Sequence, residues 1–226
     1  MSRLIAIGDI HGQIYKLEKL LAELPLQDED RLVFLGDYVD RGPNVCAVVS
    51  LLMKLAQERP ETVFLRGNHE QMLLDALVET HFIRGTEQDP VSSLIRGKNL
   101  HSSIQHHLQN GGLATLKSYS VDSVADIPLA HIIFLQQTRL HFRAAGFLFV
   151  HAGARNDIPI EQQDVRTLLW DRHLEPGDRE IHVVGHKPTA DGRPCFERGR
   201  YSIDTGAGFG NPLTACDVKT REFWQA

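Results

Sequence analysis

The chain has 226 residues, with 24 lysines and arginines against 29 aspartates and glutamates, for a net charge of -5. That balance gives no electrostatic reason to expect nucleic acid or an acidic membrane as a partner, and 42% hydrophobic residues suffice for one sizeable core but hardly for two full domains. Three cysteines without a CxxC pair fit reduced thiols, and no apolar run of about 18 residues predicts a membrane span. The N-terminal segment lacks the apolar stretch and cleavage site of a signal peptide, so a cytoplasmic monomer is expected.

The first seventy residues repeat one arrangement three times. A short apolar run (residues 4–7, 32–35 and 63–65) ends in Gly8-Asp9, Gly36-Asp37 or Gly67-Asn68. After the first run, Ile14, Leu17, Leu20, Leu21 and Leu24 fall at helical spacing, and after the second Val45, Val48, Val49, Leu52 and Leu55 do so. Strands alternating with amphipathic helices predict parallel βαβ units buried between helices, whose strand ends converge on one crevice. Residues 78–145 are more polar, with helical patterns over 104–117 and 129–142, and read as a helical insertion or cap within a single domain of residues 1–226. Strand patterns return at 147–150, 181–184, 201–203 and 213–218, and the first two lead into His151 and His186.

The polar residues at these strand ends are of metal-ligand type. Asp9 and His11 are one residue apart, so one tight turn can aim both at a single ion. The Asp37 carboxylate can bridge two cations, Asn68 offers an amide oxygen, and His151 and His186 offer imidazole nitrogens. Such an oxygen and nitrogen set, without thiolate, suits divalent manganese first, and also iron, zinc or nickel. Two such ions about 3.5–4 Å apart activate water and clamp both oxygens of an in-line displacement at phosphorus. His69 is placed to protonate a leaving oxygen, with Asp40 accepting a hydrogen bond from its ring. Arg41 and Arg66 flank the ligands and could grip phosphate bidentately.

The ordered set GDIHG (8–12), GDYVDRG (36–42), RGNHE (66–70), HAG (151–153) and GH (185–186) resembles the signature of calcineurin-like metallophosphoesterases. The forms GDYVDRG and GNHE look like the serine/threonine protein phosphatase branch, in its compact bacterial and phage type. The resemblance implies an α/β fold, an αββα sandwich, with Asp9, His11 and Asp37 on one metal and Asp37, Asn68, His151 and His186 on the other. It implies Asp40-His69 as the acid pair and Arg41 with Arg66 on the phosphate. The sequence departs from the family at HAGARND, after His151, and no position matches the family's C-terminal active-site tyrosine.

The expected substrate is a phosphorylated protein, or a small phosphoester, attacked directly by water. The alternative is a dinucleoside polyphosphate of the diadenosine tetraphosphate type, or an RNA 5′-phosphate end. Symmetrical diadenosine tetraphosphatases share the metal motifs but carry GDLVARG-like and GNHD-like forms where this chain has Asp40 and Glu70. His101, His106 and His107 are spaced poorly for a shared ion on one helix and read as a wet cap surface. Arg155 and Arg172 are secondary candidates for substrate contact. GAGFG (206–210) lacks GxGxxG spacing and reads as a tight turn between the last strands.

Overall fold

The computed structural model describes residues 2–85, 101–172 and 180–226. Its first sheet contains β1 (Leu4–Ile7), β2 (Arg31–Phe34), β3 (Val63–Phe64), β9 (Thr214–Asp217) and β10 (Phe223–Gln225), in the order β10-β9-β1-β2-β3. The second contains β4 (His141–Ala144), β5 (Phe147–Val150), β6 (Ile181–Val184), β7 (Cys195–Glu197) and β8 (Arg200–Ser202), in the order β4-β5-β6-β8-β7. β1, β2 and β3 run parallel, as do β5, β6 and β8, while β9, β10, β4 and β7 pair antiparallel.

Side-chain alternation explains the layering. Along β1, Leu4 and Ala6 point into a core shared with Phe147, Phe149, Val183 and Tyr201 of the other sheet. Ile5 and Ile7 point the opposite way, into a core with Leu17, Leu20, Val48 and Leu52 of the helices α1 (Ile14–Glu23) and α2 (Val45–Glu58). β5 alternates likewise, with Leu148 and Val150 packed on Leu168 of α7 (Val165–Trp170). A strand with period-two side chains and both faces apolar demands cover on both sides. The cover here is helix on one side and sheet on the other, giving four layers, αββα. This is the αββα sandwich that the resemblance implied, with helices covering one face of each sheet and the other sheet covering its second face.

The segment expected as a cap joins the outer helical layer. α3 (Asn68–Gly85) starts at the site, and α4 (His101–His107), α5 (Leu113–Tyr119) and α6 (Leu129–Gln136) follow. Leu73, Leu77, Val124, Ile127, Ile132 and Leu135 bury themselves in the same core as α1 and α2. Residues 86–100 of the expected insertion lie outside the described residues. The helix predicted over 104–117 is broken by a π turn at Leu108–Gly112, where Gly111 takes φ 106°. The helix predicted over 129–142 stops at Gln136, because Arg139 is drawn off to the β3 edge: its N–H donates to Phe64 O at 2.9 Å and its carbonyl accepts from Arg66 N at 2.7 Å. Residues 141–144 then form β4, turned onto β5 by Ala145 and Gly146, both at positive φ, the backbone of a primed hairpin turn.

Candidate active site

The C-terminal ends of β1, β2, β3, β5, β6 and β8 meet at one place, and they bring Asp9, His11, Asp37, Asn68, His151 and His186 together. His11 Nε2 lies 3.5 Å from Asp37 Oδ2, and His151 Nε2 lies 3.4 Å from Asp37 Oδ1. Asn68 Oδ1 sits 3.0 Å from His151 Nε2 and 2.8 Å from His186 Nδ1. Two groupings could hold a metal, His11-Asp37-His69 and Asp37-His151-His186, each with its ligand atoms within 4.8 Å of one another. Asp37 belongs to both and turns one oxygen toward each. Asp9 accepts the His186 N–H at 3.0 Å through Oδ2, while its Oδ1 is buried without a partner.

These positions are set by backbone that few sequences tolerate. His11, Asp37, Asp40, Arg41 and His186 all adopt left-handed φ, between 47° and 68°, a conformation that costs a non-glycine residue on the order of 1–3 kcal/mol. Glu70, completely buried, supplies compensation: its carboxylate accepts the N–H groups of Asp37, Tyr38, Val39 and Gly67 at 2.8–3.2 Å. Asp37 Oδ1 in turn accepts from His69 N at 3.1 Å. Free amides at the start of α3 are thereby satisfied by carboxylates, which the helix dipole also favours. Glycine is required where strands approach the ligands. A Cβ on Gly67 would stand 2.0 Å from Asp37 Oδ1, and one on Gly185 would stand 2.2 Å from Asp9 Oδ1.

The ring nitrogens are sorted by their second partners. His11 Nδ1 donates to Val39 O at 2.9 Å and His151 Nδ1 donates to Leu35 O at 2.8 Å. Each leaves Nε2 with a lone pair facing Asp37, the arrangement metal-binding histidines use. Burial keeps the imidazoles neutral: His11 and His186 are pushed down to about 3, and His151 is lowered too. The carboxyls crowd the same space. Burial, then Asp204 and Asp37, raise Asp9 well above the usual range, while Asp37 stays low because His151, His69 and His11 outweigh its burial. Neutral imidazoles, crowded buried carboxylates and an orphaned Asp9 oxygen together make a donor set suited to divalent cations.

His69 and Asp40 form the expected pair, with Nδ1 donating to Oδ2 at 2.8 Å. Burial works against a charged His69, but Asp37 and Asp40 outweigh it and raise its pKa. Arg41 forks onto His11 Nε2 and His69 Nε2, the latter at 2.9 Å. Arg66 does not join them. Its guanidinium is spent on Gln71 Oε1, Gln136 O and Thr138, at 2.7–3.4 Å, tying the start of α3 to the end of α6. Arg172 reaches His186, donating from Nε to Nε2 at 3.0 Å, whereas Arg155 pairs with Asp157 on the surface.

Three residues escaped the sequence reading. His107, expected on a wet surface, is 1% exposed and lies 2.9 Å through Nε2 from Asp40 Oδ1, because the π turn swings the end of α4 inward. Thr115 Oγ1 donates to the same oxygen at 2.6 Å, and His106 stays exposed as expected. Burial opposes ionisation of Asp40, but the bonds from His107 and His69 hold it down at about 2. Asp204, at the end of β8, is buried beside Asp9, and burial pushes its carboxyl up to about 6. Its signal was present in the sequence, since the apolar run before it ends in an acid like those at Asp9 and Asp37.

The model of the calcineurin-like phosphoesterase family matches residues 2–209. The asymmetrical bis(5′-nucleosyl)-tetraphosphatase PrpE of Oceanobacillus iheyensis is 27% identical over 96% of this chain and 89% of its own length. The protein of the same name from Bacillus thuringiensis is 28% identical over 92% and 87%. Among solved structures, a candidate diadenosine tetraphosphatase superposes with TM-score 0.68 at 22% identity, covering 100% of this chain and 93% of the other. A serine/threonine phosphatase from Saccharomyces cerevisiae superposes at 0.60 with 16% identity, over 96% and 73%. No helix among the described residues is long and apolar enough to cross a membrane. With its αββα layers and its cluster of aspartates and histidines at the strand ends, the chain belongs to the calcineurin-like phosphoesterase family, whose members are metal-dependent phosphoester hydrolases.

Proposed function

We propose that the chain hydrolyses dinucleoside polyphosphates of the diadenosine tetraphosphate class, cutting the phosphate chain asymmetrically. The observation that carries this is the likeness to PrpE proteins over nearly their whole length and nearly all of this chain. Two features of the site support it. Arg41 stands at the His11 end of the ligand cluster and Arg172 at the His186 end. Beside Arg172 a cleft of about 850 Å³ opens, lined also by Lys187, Arg198 and Arg200 against the two acids Asp191 and Glu197, with room and a net positive charge for further phosphates. The family's expectation of a phosphoprotein substrate becomes the second reading, and Asp40 with His69 favours it. An alkoxide leaving from serine needs a proton far more than a nucleoside phosphate does.

In this reading Asp9, His11, Asp37, Asn68, His151 and His186 hold two divalent ions, with manganese as the first candidate. When bound, the ions supply an activated water and neutralise the charge that builds on the phosphoryl oxygens. The chain's own residues do the rest. Arg41 grips a phosphate oxygen and sets the phosphorus in line. Once a phosphate draws Arg41 away from His69 Nε2, that nitrogen is free to take up the proton that Asp37 and Asp40 favour on the ring and to give it to the leaving oxygen, while Asp40 fixes the ring through Nδ1. Arg172 steadies the departing phosphates from the other end.

Diadenosine tetraphosphate and a phosphoserine peptide, assayed side by side with manganese, decide between the readings. AMP plus ATP as products supports the proposal. Two ADP molecules contradict the asymmetric cut, and turnover of the phosphopeptide alone overturns the proposal in favour of the second reading.

A further inference from the structure

We propose that Phe209 is a stacking platform for a base of the substrate, an inference that rests on the nucleotide reading of the site and extends it to base recognition. The turn Gly206–Gly210, read from the sequence as a plain connection between the last strands, lies on the catalytic ligands. A Cβ on Gly208 would sit 2.7 Å from His11 Cδ2. Its flanking glycines take φ 86° and 97° and enclose a single 3-10 turn, Ala207–Phe209. Lys16 Nζ clamps that turn by donating to Ala207 O at 2.9 Å and Asn211 O at 2.6 Å. The turn is therefore held at both shoulders, and its one large side chain is presented rather than buried.

Phe209 is 63% exposed, which forfeits most of what burying its ring would gain. Among the described residues its ring contact is the Arg41 guanidinium, with Cζ 4.6 Å from the ring centroid. Arg41 is also the group whose fork reaches His11 and His69. One face of the ring is thus backed by the phosphate-gripping cation, in favourable geometry for a cation–π pair, and the rest looks outward. A nucleotide whose phosphate lies on Arg41 carries its base back along the ribose to the neighbouring ring. A flat π system is the chemistry that an open aromatic face selects, and every base has one, so the contact reads "nucleotide" rather than a particular base.

The test uses the metal-loaded enzyme hydrolysing p-nitrophenyl phosphate, with AMP and ribose 5-phosphate as competitors. Both carry the same phosphate to Arg41, so the ratio of their inhibition constants isolates the base. AMP should bind about ten-fold more tightly in the wild type. Phe209→Ala should bring the ratio to near one, and Phe209→Trp should keep it. Equal constants in the wild type, or a ratio that survives Phe209→Ala, overturns the platform. Because this readout does not need the dinucleotide to be cleaved, it separates from the functional reading. A base-dependent ratio without cleavage of diadenosine tetraphosphate leaves the platform standing and removes the substrate, and cleavage without a base-dependent ratio does the reverse.

Discussion

Replacing Gly67 by alanine adds one methyl group at the most crowded point of the site. The new Cβ would lie 2.0 Å from Asp37 Oδ1, 2.4 Å from Asp37 N and 2.9 Å from Asp37 Cγ. Gly67 does not occupy positive φ, so no backbone penalty confuses the result. The Asp37 amide cannot step aside freely either, since Glu70 holds it and Gly67 N through the same carboxylate oxygen. Ordinary contact begins near 3.4 Å, so the Asp37 amide has to retreat by about 1 Å and its Oδ1 by about 1.4 Å. A displacement of that size in a positioning group costs about 10²-fold in rate, while the overpacking itself costs about 1–3 kcal/mol. In a chain of this length that is a fall in Tm of roughly 2–12 °C. The expected variant is folded, modestly less stable, and deficient in both metals, because Asp37 serves both groupings. Gly185→Ala provides the contrast. Its Cβ meets only the carboxylate end of Asp9 closely, which can rotate, so one metal should weaken while the other stays. Elemental analysis and p-nitrophenyl phosphate turnover read both variants. A Gly67→Ala enzyme with full metal content and wild-type rate would refute the reasoning that Asp37 is fixed by contact with the Gly67 backbone.

His69→Asn should retain both metals and lose about 10²–10⁴-fold in rate on substrates with poor leaving groups, with a much smaller loss on p-nitrophenyl phosphate; equal losses on both would remove its role as acid. His107→Leu should slow the same poor substrates several-fold without changing metal content, since Asp40 would keep only Thr115 and His69; an unaltered rate would show that α4 merely packs there. Asp30, buried against Arg3, tests the fold away from the site. Its carboxyl is held below the usual range, chiefly by the Arg3 hydrogen bond at 3.0 Å against the opposing effect of burial. The folded carboxyl thus releases its proton more readily than the unfolded one. Its stabilisation is complete above about pH 4 and is lost as acid protonates the folded state. Asp30→Asn should lower Tm by several degrees at pH 7, with the gap to the wild type shrinking as the pH is taken progressively below about 4, and a gap that stays constant down to the acid limit of folding would contradict the assignment.

The parallel strands were legible because each is a short apolar run that stops at an acid, amide or imidazole, with a glycine just before it after β1, β2, β3 and β6. Those stops mark Asp9, Asp37, Asn68, His151 and His186, with His11 two residues past Asp9, and they would have marked Asp204. β4, β7 and β10 were not legible, and all three lie at sheet edges, where one side of the strand is uncovered and half-exposed residues such as Phe142, Phe196 and Trp224 break the apolar pattern. His107 depends on Asp40, 67 residues earlier, and no helical periodicity points across that distance. Arg66 illustrates the opposite error. Adjacency to Gly67-Asn68 suggested a phosphate contact, but a side chain's direction is set by the acceptors available to it, and the carbonyls ending α6 are nearer. Substrate class was the least legible of all. The DYVD and GNHE forms describe the acid pair and the Glu70 brace; the acid pair matters most for a basic leaving oxygen, yet neither form says what chemical group carries the phosphate.

The central claim is that two cations share Asp37. Elemental analysis of the manganese-loaded protein, for the wild type and for Asp37→Asn, tests it most directly. The account predicts two ions per chain in the wild type, falling below one in Asp37→Asn while the fold is retained by circular dichroism. A wild type that holds a single ion, or an Asp37→Asn protein that still holds two, would contradict it.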